Sequence, residues 1–585
     1  MTKVEVELLR AIEKNRVEKV LELLKKEDID LNGFDQNGWS PFISACYHGR
    51  LEIVDMLVDD ERVKVNQRDR HNLTGLYYAC RNNCHEIVNS LLANPMVDTQ
   101  IHSIEGLTPF SISCWYSYIE IIQGFFKYRK DLLTFQEQML GSFLLACHSL
   151  NGDSKPWEYL EFLDINEAFV IVCSSGNIEM AQKLINDPRV DINCFLPYQI
   201  SPLFVACREN QLEIVKLLLQ DPRIDVNILR RDEVSPFFVA CEKGNSQILE
   251  HLLQDPRIDV NKQDDDSFSP FYIACFRGHL NAIKILLQSE RVLIDTPNHN
   301  DATPFYVACQ NEHIEIVELL LKDSRVDPNR QMKGAFTPFY IACQKGHLEI
   351  VKMLERDERV DVNRSNSNQT TPFSIAVAEG HLHVVEYLLQ SQRIDVNKPK
   401  NRGLTPFLIG CNEGHLPIVQ HMIKSERVEI NLATDDGITP FSATCQRGHI
   451  SIVKEFLNTN RADLNLATIH GETPFWYACS FGHVELVKLL LKDIRINYYQ
   501  ENRETISPFL IAVKKNHLQL LKWLLLKLKD IKLEELPDGL LLSPDVHHLL
   551  LSFMNDPINT EFQIQKELGI LGLYFFLFFF FFLFS

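Results

Sequence analysis

The sequence predicts an all-α solenoid of stacked helix–turn–helix units, and three observations carry that expectation. Similar segments recur at a fixed step of 34 residues, opening at Ser201, Ser235, Ser269, Thr303, Thr337, Thr371, Thr405, Thr439, Thr473 and Ser507, with Ser40, Thr74 and Thr108 keeping the same step. Each segment carries two short helix signals followed by a polar turn. Helices this short are marginal alone, because nucleation outweighs so few backbone bonds, so their apolar faces must be buried against neighbouring units.

The unit TPFYIACQKGHLEIVKMLERDERVDVN, residues 337–363, shows each element in order. Thr337 is a good N-cap, and Pro338 sits at the first helical position, where its missing N–H costs nothing. Gly346 follows the last helical residues and suits a left-handed stop. The second helix keeps Ile350, Val351 and Leu354 on one side, and the unit at 303 repeats this with Ile316, Val317, Leu320 and Leu321. RVDVN and the polar stretch after it make an extended turn to the next anchor. Looser copies at Gly141 and Glu167, with a half-match from Val6, bring the expectation to about sixteen units.

At 585 residues the chain exceeds any single core, which agrees with a repeat array. A formal net charge of −19 argues against nucleic acid as a partner, since a polyanion needs a basic face to release its counterions. The opening residues, MTKVEVELLRAIEKNRVEKV, are charged and lack the apolar run of a secretory signal.

These residues resemble the ankyrin repeat. TPFYIACQKGHLEIVKMLERDERVDVN is similar to that family's T-P-L-H-x-A-A-x-x-G-H-x-x-I-V-x-x-L-L…V-N pattern, and the resemblance covers roughly residues 6–528. It implies hairpin-like fingers between helix pairs and a groove that binds proteins. Three departures stand out: Phe replaces the Leu in most copies, the following His is never kept, and the usual 33-residue step is 34. Tyr306, Tyr340, Ser374, Leu408, Ser442 and Trp476 occupy the missing His position, so aromatic packing is expected there in place of imidazole hydrogen bonds.

Thirteen of the fifteen cysteines share one place in the repeat, from Cys46 to Cys479; Cys84 and Cys194 fall elsewhere. A disulfide ladder is excluded by spacing, since packed helices stand roughly 8–10 Å apart and bridged Cα atoms need about 7 Å or less. Val377 and Val513 fill the same slot, so a small apolar shape is what the position requires. Free thiols in this number fit a reducing, cytoplasmic setting. A histidine column (His279, His313, His347, His381, His415, His449, His483, His517) is read as structural, since neighbours lie one repeat apart. No HExxH, CxxC pair, P-loop, GxSxG or kinase signature occurs, so no catalysis, metal or cofactor is expected. Arginines recur 22 residues after the anchors, each commonly two residues from an acid, and are expected to form Arg–carboxylate contacts between units.

Once packing positions are removed, the residues that vary from copy to copy are the candidate partner-binding set. In the pair after each cysteine these are Phe276, Arg277, Gln310, Asn311, Gln344, Lys345, Arg447 and Phe481; in the turns before the anchors they are Arg231, Asp266, Phe268, Phe336, Arg402 and Asp436. The resemblance places such positions on the groove and finger tips, and aromatics beside Arg and Asp suit a protein interface. The function expected is a non-enzymatic scaffold or adaptor for proteins or peptides.

Four regions are expected: divergent repeats over 1–166 ending in an irregular joint at 141–167, a regular stack over 167–528, capping helices over 529–567 and a hydrophobic tail over 568–585. In the tail, eight of residues 575–584 are Phe. Two readings stand. A helix over 568–584 would span about 26 Å, near the ~30 Å hydrocarbon core, making the chain a tail-anchored adaptor with a membrane partner. Alternatively the tail is a T-rich non-coding stretch read through in the gene model.

Overall fold

The computed structural model describes residues 3–26, 29–35, 37–104, 107–116, 118–134, 140, 164–195, 199–528 and 542–568. Most of the joint expected at 141–167 and nearly all of the Phe-rich tail lie outside those residues. Packing divides the chain into two compact units, Met1–Ala274 with Asn281–Leu293, and Cys275–Leu280 with Ile294–Ser585.

Among the described residues the secondary structure is helical, apart from isolated bridge residues such as the pairs Met332–Phe336 and Lys400–Leu404. One repeat of the second unit shows why. Thr337 stands in extended conformation and its Oγ1 accepts the Tyr340 N–H at 3.1 Å, which starts the helix Pro338–Lys345. Gly346, at φ +77°, ends it, and a Cβ there would lie 2.6 Å from Nδ1 of His381 in the next repeat. Glycine therefore suits both the left-handed backbone and the approach of a neighbour, although Glu312 takes the same conformation at this position one repeat earlier. The second helix, Leu348–Arg356, buries Ile350, Val351 and Leu354.

Repeats of this form stack within each unit. In the first, Pro41–Tyr47 packs on Gly75–Arg81 and that on Pro109–Trp115, while Ile165–Ser175 packs on Pro202–Arg208 and that on Pro236–Lys243. In the second, the first helices follow one another from Pro304–Gln310 to Pro508–Lys514. Phe42, Phe237, Phe305, Phe339, Phe373 and Phe407 are wholly buried on these helices, each worth about 1.5–3 kcal/mol of burial. At the position where packing was expected in place of hydrogen bonds, the aromatic side chains pack and also hydrogen-bond. Tyr340 is buried with its hydroxyl 3.2 Å from Asn366 Nδ2, and Trp476 donates from Nε1 to the Ile506 carbonyl at 3.2 Å.

The link between repeats doubles back as a finger closed by two backbone bonds, Met332 N to Phe336 O and Ala335 N to Met332 O, both at 3.0 Å. Several fingers then bond the one before them, as in Lys333 N to Asn300 O at 2.8 Å and Ser367 N to Gly334 O at 3.0 Å. The fingers are thus hairpin-like without becoming a strand ladder.

Side chains tie successive repeats together in three columns. Nε2 of His347, His381, His415 and His483 lies 2.8–3.0 Å from the carbonyls of Gln310, Gln344, Ala378 and Gln446 in the preceding repeat. An asparagine column is equally regular: Asn329 donates to the Arg359 carbonyl and accepts from Asp361 N, both at 2.7 Å.

The arginine column corrects an expectation. The carboxylate that each Arg meets belongs to its own repeat, as in Arg223–Asp221 and Arg359–Asp357, both 2.7 Å. What crosses to the preceding repeat is a bond to the backbone: Arg223 to the Ile185 carbonyl at 3.1 Å, Arg257 to that of Leu219 at 3.0 Å. The last carbonyls of a helix lack intrahelical partners and carry partial negative charge, so a guanidinium is well placed there. Where Ser or Thr replaces the Asp, the guanidinium turns wholly onto the backbone. Arg427 reaches the carbonyls of Leu389, Ser391 and Ile394 at 2.6–2.8 Å.

Toward the C-terminus, Ser543 caps Pro544–Asn555 and Asp556 caps Pro557–Glu567, with a proline opening each helix. Leu549 and Leu550 are buried and Leu551 is exposed. The helix Pro557–Glu567 packs on Leu518–Lys527, with Lys522 paired to Glu567.

Candidate functional site

The residues that vary between repeats gather at two places, the ends of the first helices and the tips of the fingers. Both arise from the local fold. The first helix is buried up to its cysteine, so only the residues just beyond it face outward. The fingers carry polar turns whose backbone is satisfied by one another.

In the first unit, Arg231 and Asp266 are exposed at finger tips, while Phe268 is half-buried, stacked on Tyr272 with centroids 5.0 Å apart. In the second, Phe276 is 40% exposed with the Arg277 guanidinium 5.6 Å from its centroid, and Asn311 donates to the Phe276 carbonyl at 3.1 Å. Gln310 and Gln344 are half-buried; their carbonyls accept from the next histidine, which leaves their side chains as the variable part. Lys345 is exposed beside Gln344. Phe336 is half-buried against Tyr340 at 5.1 Å.

Further along the same unit, Arg402 and Asp436 occupy adjacent finger tips, both exposed, and the Arg402 carbonyl accepts from Asp435 N at 3.1 Å. Arg402 itself adopts φ +65°. Arg447 is exposed and donates through Nε to Asn412 Oδ1 at 3.0 Å, while Phe481 is 51% exposed and stacked with His483. The structure therefore places nine of the fourteen candidates (Arg231, Asp266, Phe276, Arg277, Lys345, Arg402, Asp436, Arg447, Phe481) at the surface, and tucks the two finger phenylalanines partly under it.

The recurring sulfur and imidazole groups stand elsewhere. Every described column cysteine is buried and none is in a disulfide among the described residues; Cys147 lies outside them. Burial pushes the thiols of Cys46, Cys80, Cys173, Cys207, Cys275, Cys309, Cys343, Cys411, Cys445 and Cys479 up, to about 12 for Cys80, so they are poor nucleophiles. No group of three or more His, Cys, Asp or Glu is placed to hold a metal among the described residues. Among the tyrosines, burial pushes Tyr340 and Tyr78 up to about 12, the latter helped by its hydrogen bond to Asp69.

Sequence reasoning missed two features. The asparagine column stands in plain view at the end of each RVDVN, but the turn-forming character of Asn hides its bonds to the next repeat. The approach of Tyr116 to Arg208, whose guanidinium lies 5.3 Å from the ring centroid, has no signal in the 34-residue pattern, because the two residues belong to non-adjacent repeats.

Two family models, both for ankyrin repeats, match the chain. One, describing three copies, covers residues 143–230, 237–332, 325–400, 407–502 and 468–535; the other, describing many copies, covers residues 8–58. No curated protein matches the chain as a relative. With well over half of the residues matched, and helix pairs joined by fingers through both units, the chain belongs to the ankyrin-repeat family.

Proposed function

We propose that this protein is a non-enzymatic scaffold or adaptor that binds partner proteins through the first-helix ends and finger tips of its repeats. Ankyrin repeats are in general a protein-interaction module, and one observation supports that use here. The core positions hold nearly constant residues, whereas the exposed ones carry Phe276, Arg277, Arg402, Asp436, Arg447 and Phe481, the aromatic and guanidinium types that dominate interfaces. Proximity labelling with the intact chain, set against a Phe276→Ala/Arg447→Glu/Phe481→Ala variant, tests the reading. The labelled proteins should be lost with the variant while its circular dichroism stays native. An unchanged set of labelled proteins would remove these residues from the interface.

The buried free thiols support a reducing location. A tail-anchored adaptor is the second reading, favoured by the apolar run at 568–584 alone. It requires the chain to pellet with membranes, and to stop doing so once 568–585 are removed. No helix among the described residues is long and apolar enough to cross a membrane.

A further inference from the structure

In the first unit a cleft of about 660 Å³ opens between the repeat anchored at Thr74 and the fingers that precede Ser235 and Ser269. Regular stacking does not bring such elements together. Beside the cleft Tyr116, just after Pro109–Trp115, packs against Arg208, at the end of Pro202–Arg208. The volume falls within the roughly 300–1,000 Å³ typical of sites that enclose a ligand.

Its walls alternate cation and apolar surface. Arg81 enters from one side and Arg231 from the other, and neither guanidinium has an ion-pair or hydrogen-bond partner among the described residues. Between them lie Tyr77, Tyr116 and Ile104, the last 71% exposed. Arg230 is neutralised by Asp232, with Nε–Oδ1 at 2.7 Å, and among the described residues Asp265 is the one carboxylate in the wall without a cation of its own. Behind Tyr116, the Arg208 side chain is only 10% exposed; its Nε meets Glu209 at 2.5 Å, but both terminal nitrogens have no acceptor among the described residues. On a chain of net charge −19, this is a local excess of unpartnered donors.

We propose that the cleft binds an acidic peptide segment, its carboxylates set against Arg81 and Arg231 and its apolar side chains against Tyr77, Tyr116 and Ile104. A bare anion would satisfy the guanidinium groups and leave the rings and Ile104 wet, whereas a peptide alternating acidic and apolar residues covers both. The proposal rests on the interaction reading above and assigns it a ligand class and a second surface.

The test is fluorescence anisotropy of the full chain with fluorescein-labelled Ala-Glu-Leu-Glu-Leu-Glu-Ala amide and its Gln-for-Glu counterpart. The acidic peptide should bind at least about tenfold more tightly, and Arg81→Gln/Arg231→Gln should remove that advantage, since two ion pairs are lost. Both arginines are exposed and unpaired, so the variant should melt as the parent does. An Arg402→Gln/Arg447→Gln variant should leave the affinity unchanged. Equal binding of the Gln peptide, or indifference to the Arg81/Arg231 change, overturns the proposal. Loss with Arg402/Arg447 alone moves the peptide to the other unit, which keeps the interaction reading and sinks the cleft. Displacement by about 10 mM inorganic phosphate at constant ionic strength overturns the peptide class in favour of a small-anion site.

Discussion

Asp295 is the residue where the repeat breaks its own rule. It stands where Asn261, Asn329 and Asn363 stand in their repeats, and those amides donate to one carbonyl and accept one N–H in the next repeat. A carboxylate has no donor. Asp295 instead pairs through Oδ2 with Arg330 at 2.7 Å, and its Oδ1 is buried without a partner. Burial therefore pushes its carboxyl up, against the pull of Arg330. A group whose folded-state pKa is raised binds its proton more tightly when folded, so it costs stability once pH rises above its range. Asp295→Asn restores the missing donor and removes that cost. It should stabilise the second unit by about 1 kcal/mol at pH 7, and the gain should shrink as pH falls toward about 4. Urea melts of the two proteins at pH 7 and pH 4 measure it; a pH-independent difference would mean that charge is not what the position lacks.

At the scale of the helix pair, the arginine column carries out one task in two ways. Arg427, with Ser425 where most repeats have Asp, directs its guanidinium onto three carbonyls of the preceding repeat. Arg223 shares its own between Asp221 and one carbonyl. Arg427→Ala should cost about 2–3 kcal/mol, with no dependence on acid, because no carboxylate takes part. Arg223→Ala should cost less. The Arg223 guanidinium holds the Asp221 carboxyl below the usual range, so the pair's contribution is present above the unfolded value, about 3.9, and is lost as pH falls further. Melts at pH 7 and pH 3 separate the two cases. This division also marks how far the sequence could be read. Anchors, caps, glycine stops and the buried cysteines were legible because each is set by contacts within 34 residues and repeated many times. The destination of the arginines was not, because the nearest acid in sequence hides the fact that the free carbonyls of the preceding helix are the stronger claim between repeats. The half-burial of Phe268 and Phe336 was hidden similarly, since a finger position reads as exposed until Tyr272 and Tyr340 are seen beneath it.

For the whole molecule, the consequence is modularity with a strict phase. The histidine, asparagine and arginine columns join repeats at equivalent positions, so the second unit should tolerate loss of one full period. Excising residues 371–404 would bring His415 onto the Gln344 carbonyl, where His381 now sits, and Arg427 onto the Glu355 carbonyl, where Arg393 now sits. Asn363 would meet the carbonyl of Arg427 in place of that of Arg393. Such a protein loses one repeat and one interface but none of the three columns, and a nearest-neighbour array should answer with a modest fall in stability. Excising residues 371–396 removes fewer residues yet leaves the finger KPKNRGL following a first finger with no helix pair between them, and all three columns lose register. The expected outcome is a cooperative thermal melt for the 34-residue deletion, lowered by a few degrees, and loss of cooperative melting in the second unit for the shorter one. If both deletions melted alike, the columns would be incidental to the stack, and burial of the phenylalanine and cysteine face alone would hold it.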